Sequence, residues 1–460
     1  MLRIKSASRA FPSIRVRSIL AVFVLGAASG GAAEPGIQAR RAGDFVDSMG
    51  INVHMEYTGT PYGDTERIYE ALQALGMSHF RDEINNTHPW FVARLKHIGS
   101  LGYTLCGVIE GGNDYPLLGS RLESGAVVPM IANLRPEIEA VEGPNEPDDP
   151  TNPPFEYGEN FDKFPKGAIE ESRDLWTIVG NNPEIADLPV VGMSEGTPQD
   201  FAKLAAISPV PFPDATYGNL HAYQDGGLGD AGLPGYIYTA KEFTGNRVLW
   251  TTEMGYHNNT NYLSNGEQQG VSPRASSIYL PIAFLSGFNH GVMRTFSYEL
   301  IDEFDDPNPT SESGGEGHYG LLNYDFTPKP AYTALQNMIA LLRDSGGQSF
   351  APGSIAIEFE SGPSTMRYTL LQKSTGEFFL AIWNNLPVYQ ASTVQVSGQD
   401  LYPAEVPITL RFAAPRSFTV YAPNDESGVN PTERYTSSMD SNSISINLPS
   451  QVLLIRIVGE

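Results

Sequence analysis

Gly50-Ile51-Asn52-Val53-His54, followed by Thr65-Glu66-Arg67-Ile68-Tyr69-Glu70-Ala71-Leu72-Gln73-Ala74-Leu75 and then Ser78-His79-Phe80-Arg81, has the pattern of a strand, a helix and a second strand. The outer pieces are short and apolar-rich, bounded by Gly, Asp or Asn, as buried strands are. The middle piece carries its apolar residues at helical spacing. It ends at Gly76, which can enter the left-handed backbone of a helix C-terminus without a Cβ clash.

The alternation continues outward from this unit. Further strands are expected over 104–109, 140–142, 188–192, 217–221, 248–252 and 291–296. Further helices are expected over 90–101, 166–179, 197–207, 276–285 and 331–342. Eight strands separated by helical or long loop segments are what a (β/α)8 TIM barrel requires. A doubly wound sheet is the competing fold, but no Gly-rich phosphate fingerprint follows the first strand. After Leu342 alternating runs such as Phe378-Phe379-Leu380-Ala381-Ile382-Trp383 are separated by Gly, Asn, Asp, Ser and Pro, and they predict an antiparallel β-sandwich packed on the barrel. The expected plan is therefore a signal peptide over 1–33, a barrel over 34–345 and a β-sandwich over 346–460.

Composition limits the function. The 460 residues hold 53 acidic against 29 basic side chains, a formal charge of −24, which argues against a nucleic-acid partner. Cys106 is the one cysteine, so neither an intrachain disulfide nor a cysteine-based zinc cluster can form, and its place in an apolar strand reads as core. Arg3, Lys5, Arg9, Arg15 and Arg17 precede a short apolar run and the small residues Gly31-Ala32-Ala33. That order predicts a cleaved leader and a secreted or periplasmic protein without stable membrane insertion.

In a barrel the chemistry sits at the C-terminal ends of the strands. Those ends carry Asn52 and His54, Arg81, Glu110, Asn145-Glu146, Glu195, His221 with Tyr223, Glu253, and Tyr298 with Glu299. Glu146 lies in Val141-Glu142-Gly143-Pro144-Asn145-Glu146-Pro147, and Glu253 lies in Thr251-Thr252-Glu253-Met254-Gly255. With these two segments and Gly320-Leu321-Leu322-Asn323-Tyr324-Asp325-Phe326-Thr327-Pro328-Lys329-Pro330, the chain resembles clan A of the retaining glycoside hydrolases.

The resemblance implies an acid/base at Glu146 and a nucleophile at Glu253. It also implies that Asn145 binds a sugar hydroxyl, that Arg81 braces the nucleophile, and that His221 and Tyr223 face the cleft. His54 is a further candidate for substrate contact. The clan often carries a tryptophan floor on strand eight; here Phe296 and Tyr298 stand in that region, and either ring could stack on a sugar.

Two carboxyl groups are the chemical requirement of glycoside cleavage, one to protonate the leaving oxygen and one to attack the anomeric carbon. The expected substrate is a polysaccharide or oligosaccharide, cleaved in its interior, with no cofactor. A transglycosylase using the same two glutamates, a non-catalytic carbohydrate-binding barrel and a structural envelope protein are the alternatives. Two acidic loops, 146–150 and 302–306, could supply oxygen ligands to calcium. Asn85-Asn86-Thr87 and Asn258-Asn259-Thr260 match a glycosylation acceptor. No Gly-x-Ser-x-Gly elbow is present, which weakens an esterase reading.

Overall fold

Eight parallel strands form one sheet: Met49–Asn52, His79–Glu83, Thr104–Val108, Ile138–Glu142, Val190–Val191, Gly218–His221, Leu249–Met254 and Arg294–Ser297. Numbered one to eight along the chain, they run in the order six, seven, eight, one, two, three, four, five. Strand five meets strand six through a parallel bridge from Val191 to Tyr217, where the Gly192 N–H donates to the Tyr217 carbonyl at 2.9 Å. The sheet thereby closes into a barrel.

The computed structural model describes residues 36–85, 87–111, 118–149, 155–197, 200–262, 268–310, 314–346, 350–393, 397–423 and 432–459. The expected leader over 1–33 lies outside the described residues, as does Asn86 of the first glycosylation triplet. Asn85, the acceptor of that triplet, is buried and takes the Glu110 N–H on its Oδ1 at 3.1 Å.

The helix Thr65–Leu75 shows why the sequence was readable. Asp64 caps it by accepting the Arg67 N–H, and Gly76 ends it at φ 82°. Ile68, Tyr69, Leu72 and Leu75 turn inward, and full burial of a leucine contributes about 1.5–3 kcal/mol. Among the described residues three α-helices lie outside the expected ones: the short Ala42–Asp47, Ser124–Asn133 with Pro129 inside it, and Leu233–Thr244 with Pro234 in its first turn. The helix expected over 197–207 is confined to Phe201–Ala205.

The barrel interior has an apolar layer beneath a polar one. Cys106, Ala140, Val191, Trp250 and Phe296 pack together on the inside, and Gly50 leaves room for the Phe296 ring, whose Cδ1 would lie 2.4 Å from a Cβ there. Phe296 is wholly buried in this layer, 6.1 Å from the Trp250 ring. The assignment of Phe296 to a sugar platform is therefore corrected: alternation along strand eight turns its face into the core, where no ligand reaches.

The C-terminal part is a seven-stranded sheet. It runs Ile357–Glu360, Val406–Ala422, Leu453–Val458, Phe378–Asn384, Met366–Gln372 and Arg40–Arg41, with Thr432–Leu448 also paired to Val406–Ala422. Arg40–Arg41 comes from the start of the chain and runs parallel to Leu371–Gln372. Just before it, Ile37–Gln38 pairs with Ser354–Ile355.

Both faces of the sheet's centre are buried. Phe379, Ala381 and Trp383 belong to the large core shared with the barrel, whereas Leu380 and Ile382 belong to a separate cluster with Leu410, Phe412, Phe418 and Ile455. Phe412 and Phe418 lie on one strand yet their ring centroids are 4.8 Å apart, so Val406–Ala422 bends between them. The helix Pro273–Asn289 meets the sheet where Asn289 Oδ1 accepts the Thr369 hydroxyl at 3.0 Å, and its Tyr279 hydroxyl accepts the Val388 and Tyr389 N–H groups beyond the sheet at 2.9 and 3.1 Å. That position explains a helix buried on every side.

Candidate active site

A buried ion pair organises the polar layer at the C-terminal ends of the strands. Arg81, near the middle of strand two, donates from Nε and Nη2 to the two carboxylate oxygens of Glu142, each at 2.9 Å. Nη1 donates to Asn52 Oδ1 at 2.9 Å and to Glu253 Oε1 at 2.6 Å, and Nη2 also donates to Asn145 Oδ1 at 2.7 Å. These contacts match the five N–H donors of a guanidinium, the arrangement by which a buried arginine stays charged. Burial works against the cation, but Glu142 and Glu253 more than restore it, and its pKa lies well above the usual value.

Glu142 is the centre that sequence reasoning missed. It is fully buried and also accepts from Asn219 Nδ2 at 3.0 Å and Thr252 Oγ1 at 2.9 Å. A signal existed: strand four reads Ile-Glu-Ala-Val-Glu, and a charged residue in the inward register of a barrel strand demands a buried partner.

Glu253 ends strand seven almost wholly buried, held by Arg81 and by the Tyr223 hydroxyl, which donates to its Oε2 at 2.8 Å. Burial alone would raise its pKa. The charges of His221 and Arg81, together with these hydrogen bonds, outweigh burial and hold the carboxyl below its ordinary range. Burial and the Glu253 charge push the Tyr223 phenol well up, so it remains a donor.

Glu146 follows strand four at φ 39°, left-handed backbone that a glutamate seldom adopts. Its Oε1 lies 2.5 Å from His221 Nδ1, while His221 Nε2 lies 3.1 Å from Thr252 Oγ1. Burial would lower the imidazole, but Glu253 and Glu146 outweigh it and raise His221 above its ordinary value. One oxygen of Glu146, one of Glu253 and a ring nitrogen of His221 all lie within 4.8 Å of one another. The Glu146 side chain is 23% exposed against 9% for Glu253, so the pair opens to solvent on the Glu146 side. Gly196 makes room for it, since a Cβ there would sit 3.1 Å from the Glu146 carboxyl carbon.

Asn145 receives support from below through its N–H, which donates to Glu110 Oε1 at 2.8 Å. With Oδ1 committed to Arg81, its Nδ2 is the group it can offer a ligand. Thus Glu146, Glu253, Arg81, Asn145, His221 and Tyr223 are brought together. His54 and Tyr298 form an adjoining wall, their rings 5.5 Å apart, with Tyr57 stacked on His54 at 4.7 Å and Tyr298 donating to Glu316 at 2.7 Å. Burial pushes the His54 imidazole down to about 4.

Both acidic loops have committed members. Asp148 accepts the N–H groups of Gly196 and Thr197 at 3.0 and 2.9 Å, and Asp302 pairs with Lys329 at 2.7 Å.

No known family model matches the chain, and no curated protein is similar to it in sequence. Solved structures share its fold. A family 39 glycoside hydrolase from the gut symbiont Bacteroides cellulosilyticus matches 90% of this chain and 82% of its own, at 14% identity and a TM-score of 0.59. A family 39 enzyme from Xanthomonas axonopodis pv. citri matches 91% of this chain and 95% of its own, at 14% identity and a TM-score of 0.57. A monomeric β-xylosidase from Caulobacter crescentus matches 92% of this chain and 97% of its own, also at 14% identity and 0.57. The likeness is one of fold.

Proposed function

We propose that the chain is a retaining glycoside hydrolase that cleaves O-glycosidic bonds by double displacement. One observation carries this reading: carboxylate oxygens of Glu146 and Glu253 lie within 4.8 Å of each other. Carboxyl groups about 5–5.5 Å apart let the second attack directly, whereas inversion needs about 6.5–9.5 Å to admit a water. The spacing falls on the short side.

In the first step a Glu253 oxygen bonds to the anomeric carbon while the glycosidic C–O bond breaks and the leaving oxygen takes a proton from Glu146. In the second, Glu146 removes a proton from water, the water oxygen bonds to the anomeric carbon, and Glu253 departs as carboxylate. Arg81, His221 and Tyr223 favour the ionised Glu253 that the first step consumes and the second restores. His221 Nδ1 lies 2.5 Å from Glu146 Oε1, so ring and carboxyl can share one proton in the resting site.

The finer reading is an exported enzyme acting within polysaccharide chains, with 346–460 folded as a sandwich that braces the barrel. Long loops after strands three, four and eight support an elaborated cleft.

The test is a screen of the protein on diverse polysaccharides with products read by mass spectrometry. Endo action predicts oligosaccharides of several sizes at early times; a transglycosylase would lengthen added acceptors instead. Glu253→Ala should lose turnover by several powers of ten and keep its fold. Hydrolysis unchanged by that substitution overturns the assignment, as does binding without turnover across the panel.

A further inference from the structure

A second cluster of unassigned chemistry lies where the barrel order passes from strand eight to strand one. It comprises His54 just beyond strand one, Glu299 just beyond strand eight, and Glu303 on the same loop. One oxygen of each carboxylate and a ring nitrogen of His54 lie within 4.8 Å of one another. His54 Nε2 is 3.6 Å from Glu299 Oε2.

The independent observation is that each of the three side chains holds a buried polar atom without a partner. Glu299 Oε1, Glu303 Oε1 and His54 Nε2 are shielded from solvent and have no hydrogen-bond partner, in side chains 0% exposed for Glu299 and 9% for Glu303. Buried polar atoms are ordinarily satisfied, because an orphan gives up its hydration and gains no partner in return. Lys329, whose charge reaches Glu299, is already committed to Asp302 at 2.7 Å and to the His318 carbonyl at 3.2 Å.

Protons would satisfy the two carboxyl groups by joining them along a short O–H···O line, and no such bond links Glu299 to Glu303. Three donors gathered within 4.8 Å, with His54 Nε2 3.6 Å from Glu299 Oε2, are spaced like the ligands of one ion. Metal–ligand bonds of about 2.0–2.2 Å set tetrahedral neighbours roughly 3.3–3.6 Å apart. The surroundings also fit. Tyr62 donates to Glu299 Oε2 at 2.8 Å, and Tyr57 stacks on the His54 ring with 9° between planes, so outer groups orient both ligands.

We propose that His54, Glu299 and Glu303 form a site for one divalent transition-metal ion of the zinc type. An imidazole with two carboxylates suits zinc and disfavours calcium and magnesium, which take oxygen donors. The ion is structural: it pins the loop after strand eight to the end of strand one and so fixes the wall beside Tyr298. The catalytic trio is no equivalent, because Glu146 and Glu253 are already bonded to His221, Arg81 and Tyr223. The site stands independently of the hydrolase reading.

The experiment uses the full chain, stripped with a chelator, dialysed and titrated with zinc by calorimetry, with metal content measured after gel filtration. One equivalent of zinc should bind and raise the midpoint of thermal unfolding. Glu303→Gln and His54→Asn should each lose that equivalent and the thermal shift, while Glu146→Gln keeps both. Cobalt bound to the unsubstituted chain should give visible absorption bands of an imidazole–carboxylate site, a readout that needs no variant to fold. Absence of a stoichiometric equivalent overturns the proposal. So does an equivalent kept by both Glu303→Gln and His54→Asn, or one abolished by Glu146→Gln, which would place the ion on the catalytic pair.

Discussion

Arg81 and Glu142 meet in a two-pronged ion pair, 2.9 Å at each contact, with neither side chain reaching solvent to any useful extent. The pair fixes the only guanidinium bonded to the proposed nucleophile among the described residues. Breaking a buried pair by removing one partner costs about 3–5 kcal/mol, since the other charge is left uncompensated. Glu142→Ala should therefore lower stability by about that amount in urea unfolding. Arg81→Lys, which cannot reproduce the fork, should lose both stability and turnover. A Glu142→Ala protein as stable as the parent would remove this pair from the account of the site.

His221 supplies the largest favourable charge on Glu253. Glu253 lies below the ordinary glutamate range, so its charge persists as pH falls past the usual value, while the stabilisation is full above that value and is lost as pH falls through the lowered one. Removing His221 takes away that support. His221→Asn should move the acid limb of kcat/KM to higher pH, besides lowering the plateau. An acid limb that stays in place would show that His221 does not act on the nucleophile's charge.

Tyr223 gives Glu253 one charge-assisted hydrogen bond, of a kind worth about 1.5–3 kcal/mol. Tyr223→Phe keeps the ring and deletes the donor. Turnover should fall about 10- to 100-fold with the thermal midpoint little changed. A fall in stability without one in kcat would reassign the hydroxyl to the fold.

Glu146→Ala separates protonation from attack. General acid catalysis contributes about 10²–10⁴-fold, but only where the leaving oxygen needs a proton. The variant should lose that factor on natural glycosides and far less on aryl glycosides with acidic phenols. Equal losses on both substrate types would contradict the acid role.

Gly196→Ala tests the room around the same residue. The new methyl would stand 3.1 Å from the Glu146 carboxyl carbon and 3.3 Å from both its oxygens. Turnover should drop while folding is retained, as judged by circular dichroism and thermal melting.

Much of this was legible in the amino-acid order. The eight strands announce themselves by apolar runs ending in polar residues, and Glu146 and Glu253 stand at two of those ends. Phe296 misled because a strand residue two places before a cleft residue shares its side of the pleat, yet lies one layer deeper. Glu142 escaped notice because its significance depends on Arg81, which is distant in sequence. Helix Ser124–Asn133 was hidden by Pro129, which local propensity counts against a helix although packing tolerates it. The bend in Val406–Ala422 carries no local mark, because both halves keep the strand alternation and only tertiary contact brings Phe412 onto Phe418.

The short strand Arg40–Arg41 has a consequence for how the molecule can be divided and assembled. Its partner, Leu371–Gln372, is synthesised long after it, so the beginning of the polypeptide must wait for nearly the whole remainder before its edge is taken up. Such distant pairing slows assembly, because a large loop must close before the contact forms. A fragment cut near residue 345 would leave both early strands without neighbours and strip the cover from helix Pro273–Asn289, exposing an adhesive surface there.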